Sequence, residues 1–164
     1  MSTSDRNTII ICIGNELIAD DAVGFEVHKR LEPGLDGCGA RLVYCGVGGI
    51  DILPLLEGES DLIVVDAVQF DAEPGTVHVI PWQELPATGA AISAHGLGLR
   101  ETIEIGRLLY PEKMPVRITL VGIEGRCFNR TRDYMTGEVE EAICIAVNIV
   151  QDMVLGGTNE RDTP

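Results

Sequence analysis

Apolar positions along this chain alternate between two rhythms. Short continuous runs rich in Val, Ile and Leu lie at residues 8–13, 40–45, 61–66 and 115–123. Such runs predict strands buried on both faces, as in a parallel sheet. Between them the spacing lengthens. Val23, Val27 and Leu31 recur at i, i+4 and i+8 and predict a helix over 20–31, which Pro33-Gly34 ends. A short helix is expected over 50–57 and a longer one over 96–110. Val139, Ile143, Val147, Val150 and Val154 mark one face of a final helix over 135–155. Residues 76–81 follow the Pro74-Gly75 turn and alternate in polarity, which suits an antiparallel or edge strand.

This order predicts an α/β fold: a three-layer sandwich whose mostly parallel sheet carries helices on both faces. In such sheets ligands bind beyond the carboxyl ends of the strands, near a topological switch point. Gly14-Asn15, Gly46-Val47-Gly48-Gly49 and Asp66 all follow or close predicted strands at that edge, consistent with one shared cleft.

With 164 residues, 45% of them apolar, the chain can bury one core. Residues 1–155 are read as a single domain and the polar residues from 156 to 164 as a disordered tail. A net charge of −14 excludes nucleic acid and anionic membrane surfaces as natural partners and suits a soluble, cytoplasmic protein or one that prefers a basic partner surface. The N-terminus lacks the apolar core of a signal peptide, and no run is long enough to span a bilayer. Five cysteines, without a C-x-x-C pair, make a structural zinc or redox motif unexpected. Cys12, Cys45 and Cys144 read as small buried hydrophobes, Cys38 and Cys127 as loop residues.

Candidate chemistry centres on acids. Asp20 and Asp21 open the first helix, where the positive end of its dipole favours carboxylates. The same acids, and the lack of a G-x-G-x-x-G turn or a phosphate-loop lysine, disfavour nucleotide binding. A Ser-His-Asp mechanism fits poorly, because no G-x-S-x-G elbow is present. Of three histidines, His28 reads as a helix-surface residue and His78 as cross-strand decoration. Only His95, among small residues at a loop-to-helix junction, stands where a ligand or base would. Asp21, Asp66 and His95, from three separate loops, suit a divalent ion such as zinc or nickel and leave coordination positions open for water or substrate.

Three motifs in order, Gly14-Asn15-x-Leu17-x-x-Asp20-Asp21-x-x-Gly24, Val65-Asp66-Ala67 and Ser93-x-His95-x-Leu97-Gly98-Leu99, resemble those of the hydrogenase maturation endopeptidases, and Pro115-x-x-x-Thr-Leu-Val-Gly-Ile123 fits as well. The resemblance implies a twisted sheet of about five strands between helices and a metal set of Asp21, Asp66 and His95, which are also the catalytic candidates. It implies removal of a C-terminal extension from the large-subunit precursor of a nickel–iron hydrogenase after nickel insertion, by a small monomer. Gly14, Asn15, Gly46, Gly48 and Gly49 are the expected substrate loops. The metal is either resident, nickel or zinc, and polarises the scissile carbonyl or activates water, or it is the nickel carried by the precursor, recognised at the site. Two departures from the family pattern, Val47 in the turn after the second strand and Tyr44-Cys45 where an Asp is common, keep open a non-catalytic nickel-binding or chaperone-like module. A small-molecule hydrolase is the third reading.

Overall fold

A computed structural model describes residues 7–85 and 98–156. Five strands form one sheet: β1 (Thr8–Ile13), β2 (Ala40–Cys45), β3 (Asp61–Val68), β4 (Val77–Pro81) and β5 (Arg117–Glu124). Their spatial order is β2-β1-β3-β5-β4. All pairings are parallel except that of β4 with β5, so the alternating run at 76–81 is the antiparallel edge strand. Among the described residues three α-helices flank the sheet: α1 (Val23–Leu31), α2 (Leu99–Leu109) and α3 (Gly137–Gly156).

Side chains alternate across the sheet with period two, and two cores result. On one face Ile10, Cys12, Ile63, Val65, Val121 and Ile123 pack under α1 and α3. On the other, Ile9, Ile11, Ile13, Leu62, Val64 and Leu120 pack against α2 and the turns around Ile52 and Leu53. Ile9, Ile10 and Ile11 are fully buried, each stabilising the fold by about 1.5–3 kcal/mol relative to exposure. The predicted helix faces hold: Val23, Val27 and Leu31 on α1, and Val139, Ile143, Val147, Val150 and Val154 on α3, are all buried.

Some boundaries shift, each for a local reason. The helix expected over 20–31 begins as a single 3-10 turn, Asp20–Ala22, in which the Ala22 amide is shared between the Ala19 and Ile18 carbonyls and the Asp20 amide, without a partner inside the helix, donates to the Cys127 carbonyl. The segment expected as a helix over 50–57 is a 3-10 run, Gly49–Leu55, in which Pro54 supplies no amide to an α-helical ladder. Strand β3 runs two residues past Asp66, since Ala67 and Val68 continue to pair with Ile123 and Glu124. Cys12 is buried, but Cys144 is exposed on the outer side of α3 and Cys45 only half-buried. Gly156, read as the first residue of the tail, ends α3 instead, while the rest of that tail, 157–164, and the start of the helix expected over 96–110 lie outside the described residues.

Candidate active site

The chain passes from β1 to β2 on one side and then returns to β3 on the other side of β1. The switch point of the sheet therefore lies between β1 and β3. Both candidate aspartates of the described residues flank it. Asp21 follows β1, and Asp66 lies near the end of β3, one residue beyond Val65, the partner of Cys12.

Two glycines bring Asp21 to the end of β1. Gly14 adopts φ +142°, and a Cβ there would lie 2.0 Å from the Asp21 carbonyl oxygen. A Cβ on Gly24 would lie 1.9 Å from the Ile13 carbonyl oxygen. Only hydrogens fit at these contacts, so the Gly14…Gly24 spacing sets how closely the start of α1 seats on the strand. The Asp21 carboxylate accepts the Asn15 amide at 2.9 Å and is 3% exposed. Asn15 also accepts the Leu17 amide, which fixes the loop between them.

Asp20 faces the opposite way. Its carboxylate accepts the backbone amides of Arg126, Cys127 and Thr136 and the Thr136 hydroxyl, at 2.7 to 2.8 Å. It is fully buried against the loop that leaves β5. A carboxylate with four donors is an anchor between two segments. The helix-entrance reading of the Asp20-Asp21 pair thus describes neither residue well: Asp20 ties down a distant loop, and Asp21 faces the strand end.

Asp66 is buried on the face covered by α2, in a row of the sheet that reads Asp66, Gly122, His78. One of its oxygens accepts the Ala67 amide at 2.8 Å. Burial pushes the Cys45 thiol up, and the negative charges of Asp51 and Asp66 add to the shift, so Cys45 stays protonated and donates to the Val47 carbonyl. Tyr44 donates to the Gly14 carbonyl at 2.7 Å, tying the end of β2 to that of β1. Burial, with the Glu16 and Asp21 charges nearby, raises its phenol and keeps it a donor. Leu17, Val47 and Ile50, from the loops after β1 and β2, are exposed at the same edge. Gly46, Gly48 and Gly49 belong to the second of these loops, and Gly49 takes φ +67°.

The structure thus brings Asp21, Asp66 and both candidate loops to one edge. His95 lies outside the described residues. Among the described residues no three His, Cys, Asp or Glu side chains form a metal-binding group. Sequence reasoning missed Glu124: the apolar run was read as ending at Ile123, but Glu124 is the last residue of β5 and is buried. Its carboxylate accepts the Phe70 amide at 2.8 Å and the Ala72 amide at 3.2 Å and meets His78 Nε2 at 2.9 Å, shaping the turn after β3. His78 is therefore more than strand decoration. The available signal was an acid directly after the apolar run Val121-Gly122-Ile123.

Residues 25–153 match the hydrogenase maturation protease family, HycI. The chain belongs to that family. This maturation protease is 32% identical over 149 residues to the hydrogenase expression/formation protein HupD of Rhodobacter capsulatus, covering 87% of this chain and 70% of HupD. It is 29% identical to the hydrogenase 2 maturation protease of Escherichia coli, over 70% of this chain and 71% of that one. Among solved structures, the hydrogenase maturating endopeptidase HybD from Escherichia coli superimposes with a TM-score of 0.73 at 28% identity, covering 88% of this chain and 89% of HybD. The protease is thus an endopeptidase by class, and the family's fold is the one predicted from its sequence. The family match begins just past Asp21, so it includes Asp66 and His95 but not the first candidate ligand. No described helix of the protease is long and apolar enough to cross a membrane.

Proposed function

We propose that this protease removes the C-terminal extension of a nickel–iron hydrogenase large-subunit precursor and docks the nickel that the precursor carries on Asp21, Asp66 and His95. The observation that carries the reading is the placement of two buried carboxylates, Asp21 and Asp66, on either side of the switch point in a member of this family. Each carboxylate already accepts a backbone amide, from Asn15 and from Ala67, and carboxylate oxygens oriented in this way remain good ligands for a cation. A nickel ion supplied by the substrate would be such a cation, and oxygen and imidazole donors suit it. A resident nickel or zinc ion would use the same donors and would supply Lewis-acid activation of the scissile carbonyl or of water. His95 precedes Leu99, the first residue of α2, by four residues, and α2 covers the face on which Asp66 lies. That position in the sequence, just ahead of a helix on the Asp66 face, is what supports His95 as the third donor.

In this account the protein's own groups bind and orient. Asp21 and Asp66 hold the metal-bearing part of the precursor against the sheet edge. The exposed apolar side chains of Leu17, Val47 and Ile50 give an extended peptide a surface to lie on. Hydrolysis adds water across the scissile amide and releases the extension with a free amine. A precursor without nickel offers these donors no ion to bind, so cleavage depends on nickel loading. Tyr44 and Val47 do not weaken this reading, since Tyr44 has a structural task in joining β2 to β1 and Val47 adds to the apolar rim.

The test is intact-mass analysis of nickel-loaded and nickel-free precursor after incubation with the metal-stripped protease. Loss of a C-terminal peptide from the loaded precursor alone supports nickel docking. Cleavage of the loaded precursor only after metal is restored to the protease would indicate a resident metal. Failure on both, with the organism's own hydrogenases, would point to a binding module.

A further inference from the structure

The loop Gly125-Arg126-Cys127-Phe128-Asn129-Arg130-Thr131-Arg132 runs against the overall charge of the molecule. The chain has 26 acidic residues against 12 Lys and Arg, yet this stretch holds three arginines and no acid. Arg132 is engaged with Glu26. Arg126 and Arg130 are exposed, and neither has a carboxylate partner among the described residues. The Arg130 guanidinium lies 4.6 Å from the centre of the Tyr134 ring, which steadies it.

The backbone beneath these arginines is fastened to the segment that carries Asp21. The Asp20 carboxylate takes the Arg126 and Cys127 amides. The Ala19 amide donates to the Arg130 carbonyl, the Arg132 amide to the Leu17 carbonyl, and Ile18 bridges Thr131. Exposed Leu17 lies within the same fastened unit. The result is a cationic ledge whose backbone is tied to the segment, Leu17 to Asp20, that leads into Asp21.

We propose that this ledge is a second docking element, on which Arg126 and Arg130 bind an acidic surface segment of the precursor outside the scissile region. The proposal rests on the endopeptidase reading above and names what the protease recognises besides nickel. Charge complementarity selects the occupant: two exposed cationic side chains without carboxylate partners among the described residues attract carboxylates at the rim of an interface. A net charge of −14 repels long polyanions such as nucleic acid, so a short acidic segment on a folded protein fits better. Charges at an interface rim act mainly on encounter and on salt dependence.

The experiment measures affinity for, and cleavage of, the nickel-loaded precursor by wild type, by Arg126→Ala/Arg130→Ala and by Arg126→Lys/Arg130→Lys. The alanine pair should weaken binding about five- to tenfold at low salt, raising KM and leaving kcat intact. The lysine pair should recover most of the loss, and the gap between wild type and the alanine pair should close as salt rises. Equal affinity of the alanine pair and wild type, or no recovery with lysine, overturns the proposal while wild-type cleavage leaves the endopeptidase reading standing. Wild type that neither binds nor cleaves the precursor overturns both.

Discussion

Asp20 and Asp21 are neighbours in the chain, both buried, yet they belong to different regions of the molecule. Around Asp20 the surroundings are backbone amides of a loop more than a hundred residues away, and every bond serves to join that loop to the start of α1. Around Asp21 lie the ends of β1 and β2 and, across the switch point, Asp66 on β3. Identical side chains therefore meet different surroundings. Turn geometry decides between them: a 3-10 turn aims successive side chains about 120° apart, so one acid faces the loop and the next faces the strand end.

The largest effect expected along this divide is at Gly24, where both regions are seated on β1. Gly24→Ala places a Cβ against the Ile13 carbonyl, and we expect a loss of about 4 kcal/mol in unfolding free energy by urea titration. A loss below about 1 kcal/mol would show that the close approach is not needed. Asp20→Ala should cost about 3 kcal/mol, because three backbone amides lose their acceptor. Calorimetry should show this as a fall in Tm of roughly 10 °C. Should Tm hold while activity vanishes, the division between the two acids would be drawn in the wrong place.

Smaller changes sharpen the contrast. Tyr44→Phe removes the bond to the Gly14 carbonyl and should cost about 1 kcal/mol, with cleavage falling only as the β1–β2 edge loosens. Far from the edge, Glu59 provides a charge with no expected part in catalysis. Burial alone would raise its carboxyl, but the Glu57 amide and the Arg41 guanidinium outweigh burial and hold it below its ordinary value of 4.5. A lowered folded-state value contributes stability that is present above pH 4.5 and lost as pH falls through the folded value. Glu59→Gln should flatten the acid limb of the stability–pH curve below that point and leave the pH profile of cleavage unchanged. An altered cleavage profile would mean that Glu59 is coupled to the site.

Most of the architecture was legible because it rests on local periodicity. Val23, Val27 and Leu31 declared the buried face of α1, and the run at 61–66 declared a central strand. What escaped the sequence were contacts between distant segments. Nothing local to Asp20 announces the amides of Arg126, Cys127 and Thr136, and nothing local to Glu124 announces Phe70 and His78. The same holds for Cys144, which lies in an apolar run but on the outward side of a helix. Asp21 and Asp66 were legible through strand-end placement and motif order. Pro54, visible in the sequence, already argued against the α-helix expected over 50–57.

The central claim is that Asp21 serves the reaction and Asp20 the fold. The most direct test is the rate at which Asp21→Asn cleaves nickel-loaded precursor, normalised to folded protein. Asparagine retains the shape and an acceptor for the Asn15 amide, so the fold should persist while cleavage falls about a hundredfold or more. A cleavage rate equal to wild type would contradict the account.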